Sequence, residues 1–358
     1  MTCDILICGA GVFAERILCD LAAAAVEPVR IVIAGRNAER IEWLRTAANT
    51  RATIFGKPAR IDCRVLDLTS DNAVADCLSQ LLPKVIVQAA SAQPSSVLGA
   101  SGNAWSRLIA ETSYSVTALF QADLSIRVAR AARNASPASF FINCCYPDVV
   151  NSILKALELP VSCGFGNVAI LASIMSAHPR GQGRNVKVLA HYQTLTPWRT
   201  PADQRLGPAP RLWIDDDELV NVFDAFPDIK LTRAPVIEVS GAANVPMLLA
   251  MAAGRQWRGH APGLHGLPGG YPIAFDGTSL DLDLPTGLSR QEAIEWNAAF
   301  EKADGLSVTD DGKLIFAGTL RERLRQLSPA LADGFSIADF AMAHDELAQL
   351  RARLLDQP

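Results

Sequence analysis

No block of basic residues runs through this chain, and its formal net charge is only -4. Nucleic acid is therefore not an expected partner, and without a polybasic segment nothing tethers the chain to an anionic membrane. No uncharged apolar run approaches membrane-spanning length. The opening residues, MTCDILIC, lack a basic n-region and enter a strand pattern at once, so no secretory signal is expected. CxxC pairs are absent as well. The eight cysteines stand at 3, 8, 19, 63, 77, 144, 145 and 163, mostly inside apolar patterns. They are expected to be reduced core residues of a cytoplasmic protein, with the neighbours Cys144 and Cys145 on two faces of one buried strand. Of only five histidines, His260 and His265 form an HxxxxH pair with no cysteine or carboxylate cluster to complete a site, so no metal is expected. Internal repeats and disordered linkers are missing too.

What is present is a chain of 358 residues with 49% apolar content, enough for a full core and long enough for two domains. Residues 5–36 read ILICGAGVFAERILCDLAAAAVEPVRIVIAGR: an apolar strand, a glycine-rich turn, a helix and a second apolar strand. The turn, Gly9-Ala10-Gly11-Val12-Phe13-Ala14, is the GxGxxA form of a dinucleotide-binding fingerprint in its proper place between strand and helix. Gly9 permits the tight turn, Gly11 admits a pyrophosphate against bare backbone, and Ala14 lets the helix lie close on the sheet. With Val12 and Phe13, these glycines are the expected contacts at a helix N-terminus that faces an anion.

The second strand, residues 30–34, ends in Gly35-Arg36-Asn37 instead of the acidic residue that commonly holds ribose hydroxyls. A guanidinium pairs with a 2′-phosphate that a carboxylate would repel, so Arg36 and Asn37 point to NADP. Alternatively, Arg36 stands in solvent and the pocket accepts either cofactor.

The alternation continues. Residues 39–48 read as helix and 61–66 as a third strand, followed by Asp67-Leu68, where the aspartate can accept a hydrogen bond from an adenine amino group. Thr69-Ser70-Asp71 caps a helix that runs to Leu82 and stops at Pro83. Residues 84–88 are a fourth strand running into Ala89-Ala90-Ser91-Ala92-Gln93-Pro94, small residues that let a cofactor lie across the sheet edge. One long helix is expected over 103–133, with a break near Thr112-Ser113. A fifth strand covers 139–144, Tyr146-Pro147-Asp148 opens a helix over 149–157, and a short sixth strand at 161–164 leads through Gly166-Asn167 to a helix over 168–177.

Beyond Pro179, strands group together, as in an α+β region. Strands are expected at 186–195, 235–239 and 271–275, and a short helix is expected to begin at Asp215-Asp216-Asp217-Glu218. The Gly- and Pro-rich stretch 254–272 reads as a loop over a cleft, and Thr309-Asp310-Asp311-Gly312 as a hairpin turn within 306–316. Helices at 289–303, with the capping box Ser289-x-x-Glu292, and at 336–355 close the chain, their apolar stripes serving core or dimer contact. The expected architecture is α/β: a Rossmann-type parallel sheet over 1–150, followed by an α+β substrate-binding and dimerisation domain over 151–358 in a homodimer.

GAGVFAERI, AGRNAERIEWL, the Asp67-Leu68 pair and VIVQAAS resemble the NADP-binding domain of the saccharopine dehydrogenase-like families. That resemblance implies a Rossmann fold, NADP and an imine-forming substrate class. Short-chain dehydrogenases share helix-loop patterns of this kind, but their YxxxK is absent: Tyr114 is followed by Thr117 and Ala118, and Tyr146 by Val149 and Val150. A looser similarity of element order is to lactate and malate dehydrogenases. It implies that Asn143, after the fifth strand, touches nicotinamide and that His191, on a later strand, handles the substrate proton. The aspartate and arginine of that plan are missing from Asn167-Val168-Ala169-Ile170-Leu171, so its His-Asp dyad is absent.

Hydride transfer asks a protein to place nicotinamide against an electrophilic carbon and to supply a proton. His191 is the expected donor, because imidazole titrates near neutrality. Arg199 is the candidate for a substrate carboxylate, and Asn167 and Tyr146 are candidates for substrate hydrogen bonds. Ala89, Ala90, Ser91 and Asn143 complete the expected cofactor edge with Asp67 and Leu68. Arg255 and Arg258 beside Trp257 form a basic rim. The expected activity is NADPH-dependent reduction of a C=N or C=O bond in a small carboxylate-bearing or amino-acid-derived metabolite. A hydroxy-acid or alcohol dehydrogenase, and a non-catalytic NADP sensor, are the alternatives.

Overall fold

Short apolar runs separated by amphipathic helices build the main sheet. In the computed structural model, which describes residues 2–93, 102–232 and 234–357, its strands are β1 Ile5–Cys8, β2 Val29–Gly35, β3 Ala59–Val65, β4 Val85–Gln88, β5 Phe140–Asn143 and β6 Cys163–Gly164. All pair in parallel in the order β3-β2-β1-β4-β5-β6. That order reverses direction between β1 and β4, which opens a crevice at the carboxyl edge. Both faces are apolar, as expected for a sheet covered by helices on each side. Ile5, Ile7, Ile31, Ile33, Val85 and Val87 face one layer, whereas Leu6, Cys8, Val32, Ile86 and Phe141 face the other. Helices α1 (Val12–Ala24) and α2 (Ala38–Ile54) cover the first face; α3 (Asp71–Leu81), α4 (Ala104–Thr112), α5 (Ala118–Ala135) and α6 (Pro147–Ala156) belong to the second.

The long helical segment is broken at Ser113, where the break is expected, and the break supplies the site. Asn103 caps α4, Ser113 is extended, and a 3-10 turn, Tyr114–Thr117, precedes α5. The Ser113 hydroxyl accepts the Ser115 N–H at 3.1 Å, a local bond that competes with continued helix. Pro94, the last of the small residues after β4, lies outside the described residues.

The remainder is antiparallel. After α7 (Val168–Ala177) come β7 Val186–Leu189, β8 Arg211–Ile214 and β9 Asp217–Glu218; then β10 Trp257–Pro262, β11 Gly270–Phe275 and β12 Leu280–Leu282; then β13 Leu306–Val308, β14 Lys313–Phe316 and β15 Phe335–Ser336. These elements fold back on the first sheet: Tyr271, Ile273 and Phe275 join one of its cores, and Leu320, Leu324, Leu347 and Leu350 join the other. Because β6 pairs with β5 beyond residue 150, the parallel sheet crosses the expected domain boundary. No helix among the described residues is long and apolar enough to cross a membrane.

Four local expectations are corrected. Strand 186–195 ends at Leu189; His191 then caps a 3-10 helix, Tyr192–Arg199, accepting the Gln193 N–H on Nδ1. Of residues 235–239, the last three belong instead to a helix, Ile237–Ala243, which Val236 precedes and which is held close to α1, where a Cβ on Gly241 would lie 2.2 Å from Arg16 Cγ. Close packing here outweighs the β-propensity of Pro-Val-Ile-Glu-Val. Asp215 and Asp216, with φ of 54° and 69°, form the two-residue turn between β8 and β9, not a helix start. Strands β10 and β11 pair across the stretch 254–272, so it is not a lid loop.

Candidate active site

At the carboxyl end of β1, Gly9 has φ +123°, and a Cβ there would press on Ala89 and Ala90 at 3.0–3.1 Å. Gly11 differs in kind. Its φ is -73°, it caps α1 without a side-chain bond, and an added Cβ would meet nothing within 4 Å. Space over Gly11 combines with the unsatisfied first N–H groups of α1 to form an anion cradle. Arg40 braces the turn, with Nη2 2.6 Å from Glu15 and Nε 3.4 Å from the Ala10 carbonyl. Val12 is exposed beside it, and the Phe13 ring meets Phe165 edge-on at 5.9 Å. These residues fit a dinucleotide pyrophosphate.

The rest of the expected cofactor edge divides. Arg36 is exposed at the end of β2; two hydrogen bonds from Thr69, and to a lesser degree the Arg36 charge, lower the Asp67 carboxyl below its usual range. Asn37 caps α2, accepting the Arg40 N–H at 2.9 Å. Ala89, Ala90 and Ser91 line the end of β4, with Ser91 Oγ donating to the Gln93 carbonyl. Leu68, by contrast, is a core side chain. Asn143 is also corrected. Fully buried, it donates to Cys145 O and Asn151 Oδ1 and accepts from Cys145 N and Ser125 Oγ, which leaves its amide nothing for nicotinamide.

Beside this edge lies a buried polar cluster. Tyr146 follows β5 in a left-handed conformation (φ 48°), which starts α6 at Pro147 and turns the phenol inward. Asp304 Oδ2 collects three hydroxyls: Tyr192 at 2.5 Å, Tyr146 at 3.2 Å, and Ser115. The Ser115 and Tyr146 hydroxyls are 2.9 Å apart, and those of Tyr146 and Tyr192 3.1 Å. The Tyr146 ring stands edge-on to Tyr114 at 5.0 Å and to Tyr192 at 5.4 Å, so three of the chain's four tyrosines meet here. Burial, and the negative charge of Asp304, push both Tyr146 and Tyr192 far above the ordinary phenol range, which keeps them as hydroxyl donors.

Asp148 is the neighbouring titratable group. It is fully buried; Asn167 Nδ2 and the Tyr192 backbone N–H donate to it, and Oδ1 has no partner among the described residues. Desolvation, reinforced by Asp304, pushes its carboxyl up to about 7, against the pull of those donors. Glu301, also buried, has Oε1 without a partner and is driven well above the carboxylate range by burial, then by Asp148 and Asp304.

Two expected roles change. His191 is 1% exposed, stacks on Phe300 at 5.3 Å and is pushed down to about 3 by burial. It is neutral at physiological pH, so it holds no imidazolium proton to give. Arg199 Nη1 donates to the Thr232 and Ala234 carbonyls, bracing a loop instead of awaiting a carboxylate. Tyr146 and Asn167 do reach the site, Asn167 through Asp148. Sequence reasoning missed Ser115, Asp148, Tyr192, Glu301 and Asp304; the scarcity of tyrosine hinted at Tyr192 alone. His260 Nε2 accepts the Val188 N–H at 2.9 Å, and the His265 ring lies 3.0 Å from the Leu280 carbonyl, so both stitch strands.

No family model and no curated protein matches the chain. Solved structures do. Lactate dehydrogenase from Eimeria maxima with NADH and oxamate is 12% identical, with 85% of this chain and 94% of that one covered at a TM-score of 0.51. Malate dehydrogenase from Aeropyrum pernix is 12% identical over 84% and 97%, with a TM-score of 0.52. Malate dehydrogenase from Archaeoglobus fulgidus with NADH is 14% identical over 84% and 98%, also at 0.52. At such identity the likeness is one of fold: a Rossmann-type parallel sheet with a smaller antiparallel part. It supports the looser of the two sequence resemblances.

Proposed function

We propose that the chain is a nicotinamide-dependent oxidoreductase that reduces a C=O or C=N bond of a small metabolite, with NADPH preferred. The observation that carries this is the pairing of the open Gly11 cradle with a buried acid, Asp148, at the same carboxyl edge of the sheet. NADH in lactate and malate dehydrogenases of the same fold supports the cofactor class. Arg36, in place of an acidic residue after β2, favours the 2′-phosphate.

When bound, the cofactor supplies the hydride. Tyr146 and Tyr192 border the reacting group, and Asp304 fixes their hydroxyls in place. Asp148 exchanges the proton, because a carboxyl near 7 is populated in both forms at neutral pH. Asn167 orients it. Packing of the antiparallel part against the sheet keeps the acid out of water, which is what raises it.

The test is NADPH oxidation against a panel of small aldehydes, ketones and the imines they form with ammonia. Asp148→Asn should lower kcat by about 10²–10⁴ with NADPH affinity unchanged. Full turnover in that variant, alongside loss of turnover in His191→Asn, would return the proton to the histidine.

A further inference from the structure

Three carboxyl groups lie near enough at the site to raise one another, and among the described residues no cation pairs with them. Glu301 and Asp304 are three residues apart on the helix Arg290–Asp304 and so share a face. Tyr192 spans from Asp304 to Asp148, its hydroxyl on the first and its backbone N–H on the second. Asp148 and Glu301 each bury an oxygen without a partner. Among the described residues, no Lys or Arg pairs with any of the three. All the hydroxyls that reach the Asp304 carboxylate go to Oδ2. A buried carboxyl oxygen without a partner is costly, and among the described residues no cation relieves Asp148 Oδ1 or Glu301 Oε1.

We propose that Asp148, Glu301 and Asp304 form a recognition site for a small organic cation, so that the molecule acted on carries a primary ammonium or iminium group and not a carboxylate. The proposal rests on the oxidoreductase reading for what happens next, and it narrows the substrate class of that site. An anion is the poorer occupant. Arg199, the expected carboxylate ligand, is spent on backbone carbonyls. A carboxylate would enter beside three acids. An ammonium group, with three donors, matches the oxygens left unpaired.

The test is titration of the full chain with n-propylammonium, propionate and 1-propanol, each with and without saturating NADPH, followed by calorimetry or ligand-observed NMR. Propylammonium should bind saturably and at least about tenfold tighter than propionate. Glu301→Gln and Asp304→Asn should each weaken it by about tenfold, with NADPH affinity unchanged. Glu301→Gln keeps the shape and breaks no hydrogen bond at Oε1, so it decides the matter if Asp304→Asn melts early. Propionate binding as tightly as propylammonium, or propylammonium binding indifferent to Glu301→Gln, overturns the proposal. Selective ammonium binding in a chain that fails to bind NADPH would sink the oxidoreductase reading and leave the cation site standing. The reverse pattern would do the opposite.

Discussion

Gly11→Asp separates the cofactor reading from the fold more cleanly than any other single change. Backbone at Gly11 (φ -73°, ψ 176°) suits any L residue, and a Cβ meets nothing within 4 Å. The residue is the N-cap of α1, which has no side-chain cap, and an aspartate there is better than glycine by about a few tenths of a kcal/mol. Folding should therefore be unchanged or slightly improved. A dinucleotide would meet the new carboxylate at its pyrophosphate. Two like charges about 4 Å apart repel by about 4 kcal/mol at an effective dielectric of 20. Salt and solvent at this exposed turn reduce that, so a loss of at least about a hundredfold in affinity is expected. Fluorescence titration with NADPH, run beside a thermal melt, reads both halves. NADPH affinity within a few-fold of the parent, with the melt intact, would refute a pyrophosphate at this turn.

Asp148→Asn should also act on stability. An aspartyl group held at about 7 in the fold, from an ordinary 3.8, binds its proton more tightly folded than unfolded. Its contribution is complete below about pH 4 and is lost as pH rises through 7, by about 4 kcal/mol as an upper bound. Denaturant melts at pH 8 should find the asparagine variant more stable than the parent, with the gap closing at pH 4; equal stability at both would contradict the assigned burial. His191 and His260 work in the opposite sense, since each is pushed down to about 3 by burial. Stability should fall as pH drops from about 6.5 toward 3, and His260→Gln, able to accept the Val188 N–H, should flatten that limb in an acid titration. Arg36→Glu should weaken NADPH and favour NADH, by about tenfold or more in the ratio of dissociation constants. An unchanged ratio would release Arg36 from the role.

The parallel sheet was legible because its strands are buried on both sides and so read as unbroken apolar runs, with Gly9 and Gly11 marking the turn between the first strand and helix. Asp215-Asp216 was not, since an acidic run looks like a helix start until its partner strand is known. Residues 235–239 failed for a related reason: the close approach of Gly241 to Arg16 is a contact across the fold, invisible to local propensity. The same divide runs through the site. Tyr146 and Asn167 could be found from their places after β5 and β6, whereas Ser115 and Tyr192 lie 189 and 112 residues from Asp304, the carboxylate they bond. No spacing motif spans such gaps. His191 looked catalytic because imidazole ordinarily titrates near 7; only the structure supplies the burial that removes that property and gives it to Asp148.

A crystal structure of the chain soaked with NADPH tests the central claim most directly. The account predicts the pyrophosphate over Gly11 at the start of α1, the 2′-phosphate beside Arg36, and nicotinamide C4 facing the space between Tyr146, Tyr192 and Asp148. Density for the cofactor anywhere but on the turn from Gly9 to Ala14, or a nicotinamide turned away from those three side chains, would contradict it.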